Sequence, residues 1–315
     1  MLDLVNIFID NMIPVLAIAA VGVGLRRCLD IDPAPVSRMM FYVFAPALAF
    51  DAVYTSNISG GDFLRLYVGT LALMAMVGAL SFLLLRWLKS AVSTPSKISP
   101  REMATTLVAT FVFNGANFGI SIVSFAFGAE ALTYAVIIYI AGSTVAWTLG
   151  PYVSSSGTAS LLLSLQSVLR TPVVYALALA FALKAVGIGE LPPALSRSSK
   201  LLADASIPLM LVLLGLQLGG FHKPDRWRLL LTGTAIRLLV APLLAIICAT
   251  LLNLGGAARF AFILQAGMPT AVLTLILAYE FDTDRDLALN LIMTTTLISP
   301  ITLTLLIYLL QSGIV

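Results

Sequence analysis

The sequence predicts an all-α polytopic membrane protein: ten transmembrane helices in two inverted five-helix repeats, with helices four and nine broken and crossing. Three observations predict it. The composition is too apolar for a soluble domain, the apolar stretches have helix length without strand alternation, and helix-breaking residues recur about half a chain apart.

Of 315 residues, 60% are hydrophobic and 10% charged, and mean hydropathy is +1.02. A soluble domain carries about one-quarter charged residues, so most of this surface must face lipid. A helical crossing takes roughly 20 apolar residues, which gives the chain room for about ten. The lipid core leaves no backbone group unpaired, so the spans are helices or a closed barrel. Leu71–Leu85 and Leu238–Leu252 are apolar throughout rather than alternating, and helices follow.

The spans are Asn11–Leu25, Val36–Tyr54, Phe63–Leu88, Met103–Phe127 and Ala131–Val153, then Thr171–Val186, Leu201–Gly219, Trp227–Asn253, Ala258–Tyr279 and Leu287–Leu310. Residues 1–153 form the first repeat and 171–315 the second. Residues 154–170 form a cytoplasmic linker whose Leu161–Arg170 stretch reads as a helix at the membrane surface. Basic loops stay cytoplasmic. Arg26, Arg27 and Arg38, then Arg86, Lys89, Lys97 and Arg101, then Lys223, Arg226 and Arg228 all fall on one face, against Lys184, Arg197 and Lys200 on the other. Both termini are therefore expected outside.

Several function classes are excluded. The net charge of +3 is dispersed, and no contiguous basic face exists for nucleic acid. Cys28 and Cys248 lie in or beside apolar segments, so no disulfide framework, metal site or cofactor is expected. His222 is the single histidine and lies in a loop, so no Ser–His dyad can form in the bilayer. No H-E-x-x-H and no pair of intramembrane aspartates occurs, and no enzyme is expected. Asp282, Asp284 and Asp286 lack the glycine and final glutamate of a calcium loop and read as a solvated turn. The N-terminus shows no basic region followed by a small-residue cleavage site.

The repeat is carried by breakers. Pro14 pairs with Pro172 and Pro46 with Pro208, at separations of 158 and 162. Asn117-Phe118-Gly119-Ile120-Ser121 in span four has the amide-x-Gly-x-breaker order of Gln265-Ala266-Gly267-Met268-Pro269 in span nine, at a separation of 148. Five spans per half make the halves inverted, and matched broken helices in inverted repeats mark secondary transporters. Helices restarting near Ile120 and Thr270 would aim unpaired N–H groups at the crossing, an anion site without a buried cation. The residues expected to hold a small carboxylate are Asn114, Asn117 and Gln265, with the backbone at Gly119 and Gly267. The competing account makes the amides glue between helices and Gly115/Gly119 and Gly215/Gly219 packing pairs. Arg237, in mid-span eight, is a candidate charge partner for the solute; capping the carbonyls of a broken helix, or pairing with Asp204 or Asp51, is the structural alternative. Thr294, Thr295, Thr296 and Ser299, with Ser143, Thr144 and Thr148, read as packing hydroxyls.

The chain resembles the auxin efflux carrier family, in its bacterial malate/malonate-type branch. The resemblance rests on Ile13-Pro14 with Gly22 and Gly24 ahead of Arg26-Arg27, Ala45-Pro46-Ala47-Leu48, Asn117-Phe118-Gly119, Ile207-Pro208-Leu209 with Leu214-Gly215, Ala241-Pro242, and Ala266-Gly267-Met268-Pro269-Thr270. It implies a bacterial inner (plasma) membrane protein, a homodimer, a scaffold of spans one, two, six and seven, a moving unit of the other six, and elevator-type displacement of a site at the crossing, where it points to Asn114, Asn117, Gln265 and Pro269. Ser121 stands where many relatives have proline, and Phe63–Leu88 lacks the acidic residue of plant members. The alternatives are a sodium-coupled organic-anion symporter of the bile-acid-transporter type, and a non-transporting receptor or sensor. No carboxylate lies within either break, which leans against sodium coupling.

Overall fold

The computed structural model describes residues 2–91, 98–155, 171–218 and 226–315. Leu161–Arg170, Gly219, His222, Lys97 and Lys223 lie outside the described residues. Along the chain come α1 (Asp3–Leu29), α2 (Pro33–Tyr54), α3 (Gly60–Ser90), α4 (Pro100–Phe111), α5 (Gly115–Ser154), α6 (Pro172–Ala185), α7 (Pro193–Gln217), α8 (Trp227–Leu251), α9 (Gly256–Ala266), α10 (Leu273–Glu280) and α11 (Arg285–Gln311). Among the described residues there is no strand beyond one isolated bridge, and seven helices are long and apolar enough to cross a membrane.

Proline shapes these helices locally. A proline inside a helix offers no N–H, and its ring clashes with the carbonyl four residues back. The chain answers with one wide turn of i→i+5 geometry before Pro14 (Phe8–Met12), before Pro46 (Met40–Phe44) and before Pro242 (Ile236–Val240). Each span continues through its proline with α geometry restored. The wide turn in α8 is where Arg237 sits.

Helix α1 packs against α7, and α2 against α6 and α7. The α1–α7 crossing needs glycine on both sides. A Cβ on Gly22 would lie 2.1 Å from the Val212 carbonyl oxygen, and one on Gly215 would lie 1.9 Å from that of Ala19. Helices α3, α4, α5, α8, α9 and α11 form a second set of neighbours. The caps are made by sequence. Ser99 and Glu102 form a capping box at the start of α4, and Asp284 accepts from the Leu287 N–H at the start of α11. Glu102 also pairs with Arg226 at 2.6 Å, and Asp282 with Arg101 at 2.8 Å and Arg285 at 3.4 Å. The aspartates of the α10–α11 turn thus serve as a cap and as ion-pair partners.

Two interruptions stand out. Helix α4 stops at Phe111, Val112 turns extended (φ −90°, ψ 104°), and a helix restarts at Gly115. Helix α9 stops at Ala266, and Pro269 blocks its continuation until α10 begins at Leu273. A further bend lies inside α5 at Gly128, whose φ of +77° is open to glycine and strained for other residues.

Candidate functional site

The two interruptions meet. Phe113 and Thr270 form an antiparallel bridge, in which the Asn114 N–H donates to the Pro269 carbonyl at 2.8 Å and the Ala271 N–H to the Val112 carbonyl at 3.1 Å. The breaks thereby satisfy each other's backbone groups, which a lipid core demands. The bridge partners are 157 residues apart (270 − 113), close to the proline separations of 158 and 162 and not to the 148 of the amide-x-Gly alignment. The first break also falls earlier than Asn117–Ser121. Val112–Asn114 leaves the helix, and Asn117 already lies in the restarted one, whereas Gln265 precedes its own break. The amides therefore do not face each other as equivalents.

The starts of α5 and α10 are uncapped. Neither shows a side-chain cap, and among the described residues the N–H groups of Ala116, Asn117, Val272 and Leu273 have no backbone acceptor. Both first turns open on a cavity of about 230 Å³. Asn114, Asn117, Ala271 and Leu273 line it from the crossing, and Tyr139, Ser143 and Trp147 from the later part of α5. Helix α2 adds Ser37 and Phe41, and α7 adds Met210 and Gln217. No described lining residue carries a charge. The volume lies below the ~300–1,000 Å³ usual for drug-sized ligands, so the space suits a small solute.

The remaining expected site residues sit behind this cavity. Gln265 is fully buried, and its Nε2 donates to the Gly115 carbonyl at 3.2 Å and the Ala135 carbonyl at 3.3 Å. Its Oε1 is buried without a hydrogen-bond partner beside Gly119, where an added Cβ would approach to 2.2 Å. Pro269 contributes its carbonyl to the bridge. Gly267 faces a separate apolar pocket lined by Leu238, Leu303 and Leu306. The structure brings Asn114 and Asn117 together on the cavity and places Gly119, Gln265, Gly267 and Pro269 in its support.

Arg237 also lies outside the cavity lining and is buried, with 2% of its surface exposed. Its guanidinium donates to the Thr110 carbonyl at 2.8 Å and to the Ala266 carbonyl, and sits 5.7 Å from the centroid of the Phe113 ring. Those carbonyls end α4 and α9, so one cation caps both broken helices at their negative ends. Neither Asp204 nor Asp51 is its partner among the described ion pairs; Asp204 instead bonds Lys200 at 3.0 Å. Hydroxyls complete the crossing. Thr270 Oγ1 donates to the Ala109 carbonyl at 2.9 Å, and the Thr270 N–H donates to Thr295 Oγ1 at 3.1 Å. Thr144 and Thr148 bond their own helix.

Sequence reasoning missed Gln217, Tyr139 and Trp147. Gln217 carried a signal, an amide closing the apolar second half of its helix, whereas the two aromatics read as ordinary apolar positions.

Comparisons with known proteins match the chain to membrane transport proteins. A membrane transport protein family model matches residues 7–307. A protein from Methanothermobacter thermautotrophicus named an uncharacterized transporter is 27% identical over 280 residues, covering 87% of this chain and 88% of its own. A second uncharacterized transporter, from Methanocaldococcus jannaschii, is 22% identical over 272 residues, covering 84% and 85%. An integral membrane chain with interrupted, mutually bridged helices, matched over nearly its whole length, belongs to the membrane transport protein family, that of the auxin efflux carriers.

Proposed function

We propose that this protein moves a small carboxylate across the membrane by elevator-type alternating access, binding it in the cavity at the crossing. One observation carries the reading: two uncapped helix starts and the side chains of Asn114 and Asn117 converge on a cavity with no charged residue in its described lining. Each helix start contributes roughly half a positive charge, and free N–H groups there suit an oxyanion. The negative ends of α4 and α9, which also arrive at the crossing, are already neutralised by Arg237, so the positive starts of α5 and α10 are left to act on the solute.

In this reading α4 with the start of α5 makes the fourth crossing, α9 with α10 makes the ninth, and α5 turns into the fifth at Gly128. The chain then counts ten crossings in inverted halves, 1–153 and 171–315, joined by 154–170. The prolines and the bridge, at similar separations, support that repeat. Helices α1, α2, α6 and α7 are the scaffold and the rest the moving unit; a homodimer rests on the family resemblance alone. With both termini outside, Ser37, Trp147 and Gln217 lie near the cytoplasmic ends of their helices, and the cavity faces inward. Lys184, an exception to the charge rule, fits this orientation because it caps the Val53 and Ser56 carbonyls at the end of α2.

The test is a thermal-shift screen of mono- and dicarboxylates on purified protein, followed by flux in liposomes with sodium or with choline. Stabilisation and flux by a carboxylate, and neither by its amide analogue, support the reading. Equal response to the neutral analogue, or no response to any acid, overturns it. Loss of flux in choline would move the assignment to a sodium-coupled symporter.

A further inference from the structure

Helices α2 and α7 offer the cavity mainly apolar side chains: Met40, Phe41 and Ala45 from α2, Met210 and Leu213 from α7. Among the described residues, Ser37 and Gln217 are their polar contributions, and the two are bonded to each other. Asn117 Nδ2 donates to Gln217 Oε1 at 3.4 Å, and Gln217 Nε2 donates to Ser37 Oγ at 3.5 Å. A chain of three polar side chains thus runs from the crossing, through α7, to the start of α2. Both bonds are longer than the 2.7–3.2 Å usual for N–H···O and correspondingly weak. The acceptor that Gln217 gives Asn117 is an amide oxygen, the same kind of group that a solute carboxylate would offer.

We infer that Gln217 is a displaceable latch: its side-chain oxygen occupies the Asn117 amide while the cavity is empty, and a solute carboxylate takes its place. Displacement unfastens the crossing from α2 and α7, so occupancy itself frees the unit that must move. A charged acceptor wins the exchange because a hydrogen bond to an ionised group is about twice as strong as a neutral one. The identity of the displacing group rests on the carboxylate reading; the latch does not.

Two variants with opposite expected effects test it. Gln217→Leu removes the competitor and should tighten binding of the best carboxylate from the screen about threefold to tenfold. Gln217→Glu tethers a carboxylate beside Asn117 and should weaken binding at least about tenfold. A second readout needs no solute: Ala116→Cys, which lines the cavity, in a Cys28→Ser/Cys248→Ala background, labelled by a membrane-impermeant thiol reagent. Labelling should be several-fold faster with Gln217→Leu and slower with Gln217→Glu, in protein that remains monodisperse. Faster labelling with no carboxylate bound by the parent protein would sink the carboxylate reading and leave the latch standing. Unchanged labelling, or weaker binding in Gln217→Leu, would make Gln217 a plain wall or a direct ligand and overturn the latch.

Discussion

Gly119 and Gln265 touch with no room between them: a methyl group on Gly119 would sit 2.2 Å from the Gln265 Oε1. Gln265 cannot retreat freely, because its Nε2 ties the Gly115 carbonyl to that of Ala135. Gly119→Ala is therefore expected to destabilise the folded protein by about 1–3 kcal/mol through overpacking. Combining it with Gln265→Ala should recover part of that loss, since the clash and the clashing group go together. Chemical denaturation of the two single variants and the double reads this directly; strictly additive losses would mean that the contact is not the cause.

Arg237 should be intolerant of neutral replacement. Arg237→Ala leaves the Thr110 and Ala266 carbonyls without their donor at the ends of α4 and α9. Each buried acceptor left unsatisfied costs about 1–3 kcal/mol. Arg237→Lys, keeping the charge but losing the fork, should fall between the parent and Ala. The measurement is thermal stability in detergent, with carboxylate affinity recorded on whatever folds; a stable Arg237→Ala that has lost only affinity would return Arg237 to the solute.

Asn117→Ala removes a cavity amide whose recorded partner is itself a long bond, so folding should survive. Carboxylate affinity is expected to fall at least about tenfold, the value of a hydrogen bond to a charged group. Gly267→Ala gives the contrast. It crowds Leu306, at 2.9 Å from the added carbon, on the side away from the cavity, and should lower stability with little change in affinity. Equilibrium binding on both variants separates the groups that meet solute from those that support them.

The α1–α7 crossing makes a prediction independent of any solute. Gly22→Ala and Gly215→Ala each drive a methyl group into backbone across the crossing, not into a yielding side chain. Each should destabilise by about 1–3 kcal/mol, whereas Gly24→Ala, with nothing within 4 Å, should be neutral or mildly stabilising. A loss of stability at Gly24 equal to that at Gly22 would mean that α1 meets its neighbour on another face.

The membrane character and the two interruptions were legible because composition and breakers act locally. Pro269 cannot continue a helix whatever surrounds it, and Asn114-Gly115 is a poor helical pair. The register of the crossing was not legible. Asn117 and Gln265 matched as text, yet the backbone pairing that joins Phe113 to Thr270 is chosen by packing between segments far apart in the chain. Arg237 was visible as a costly charge, with capping of a broken helix among its readings; that it caps two helices needed the wide turn at Ile236–Val240 and the arrival of both ends beside it. Gln217 went unseen for the same reason. An amide at a helix end has many uses, and its neighbours Asn117 and Ser37 come from positions 100 and 180 residues away.

The reciprocal pair of bonds across Phe113 and Thr270 ties the fates of two stretches that inheritance can alter separately. An insertion of one residue beside Val112 would slip every partner opposite it, and only a matching shift near Pro269 could set the ladder right. Descendants of this gene are thus confined to paired edits at these two places, and related chains compared in bulk should show the two short segments keeping step in length.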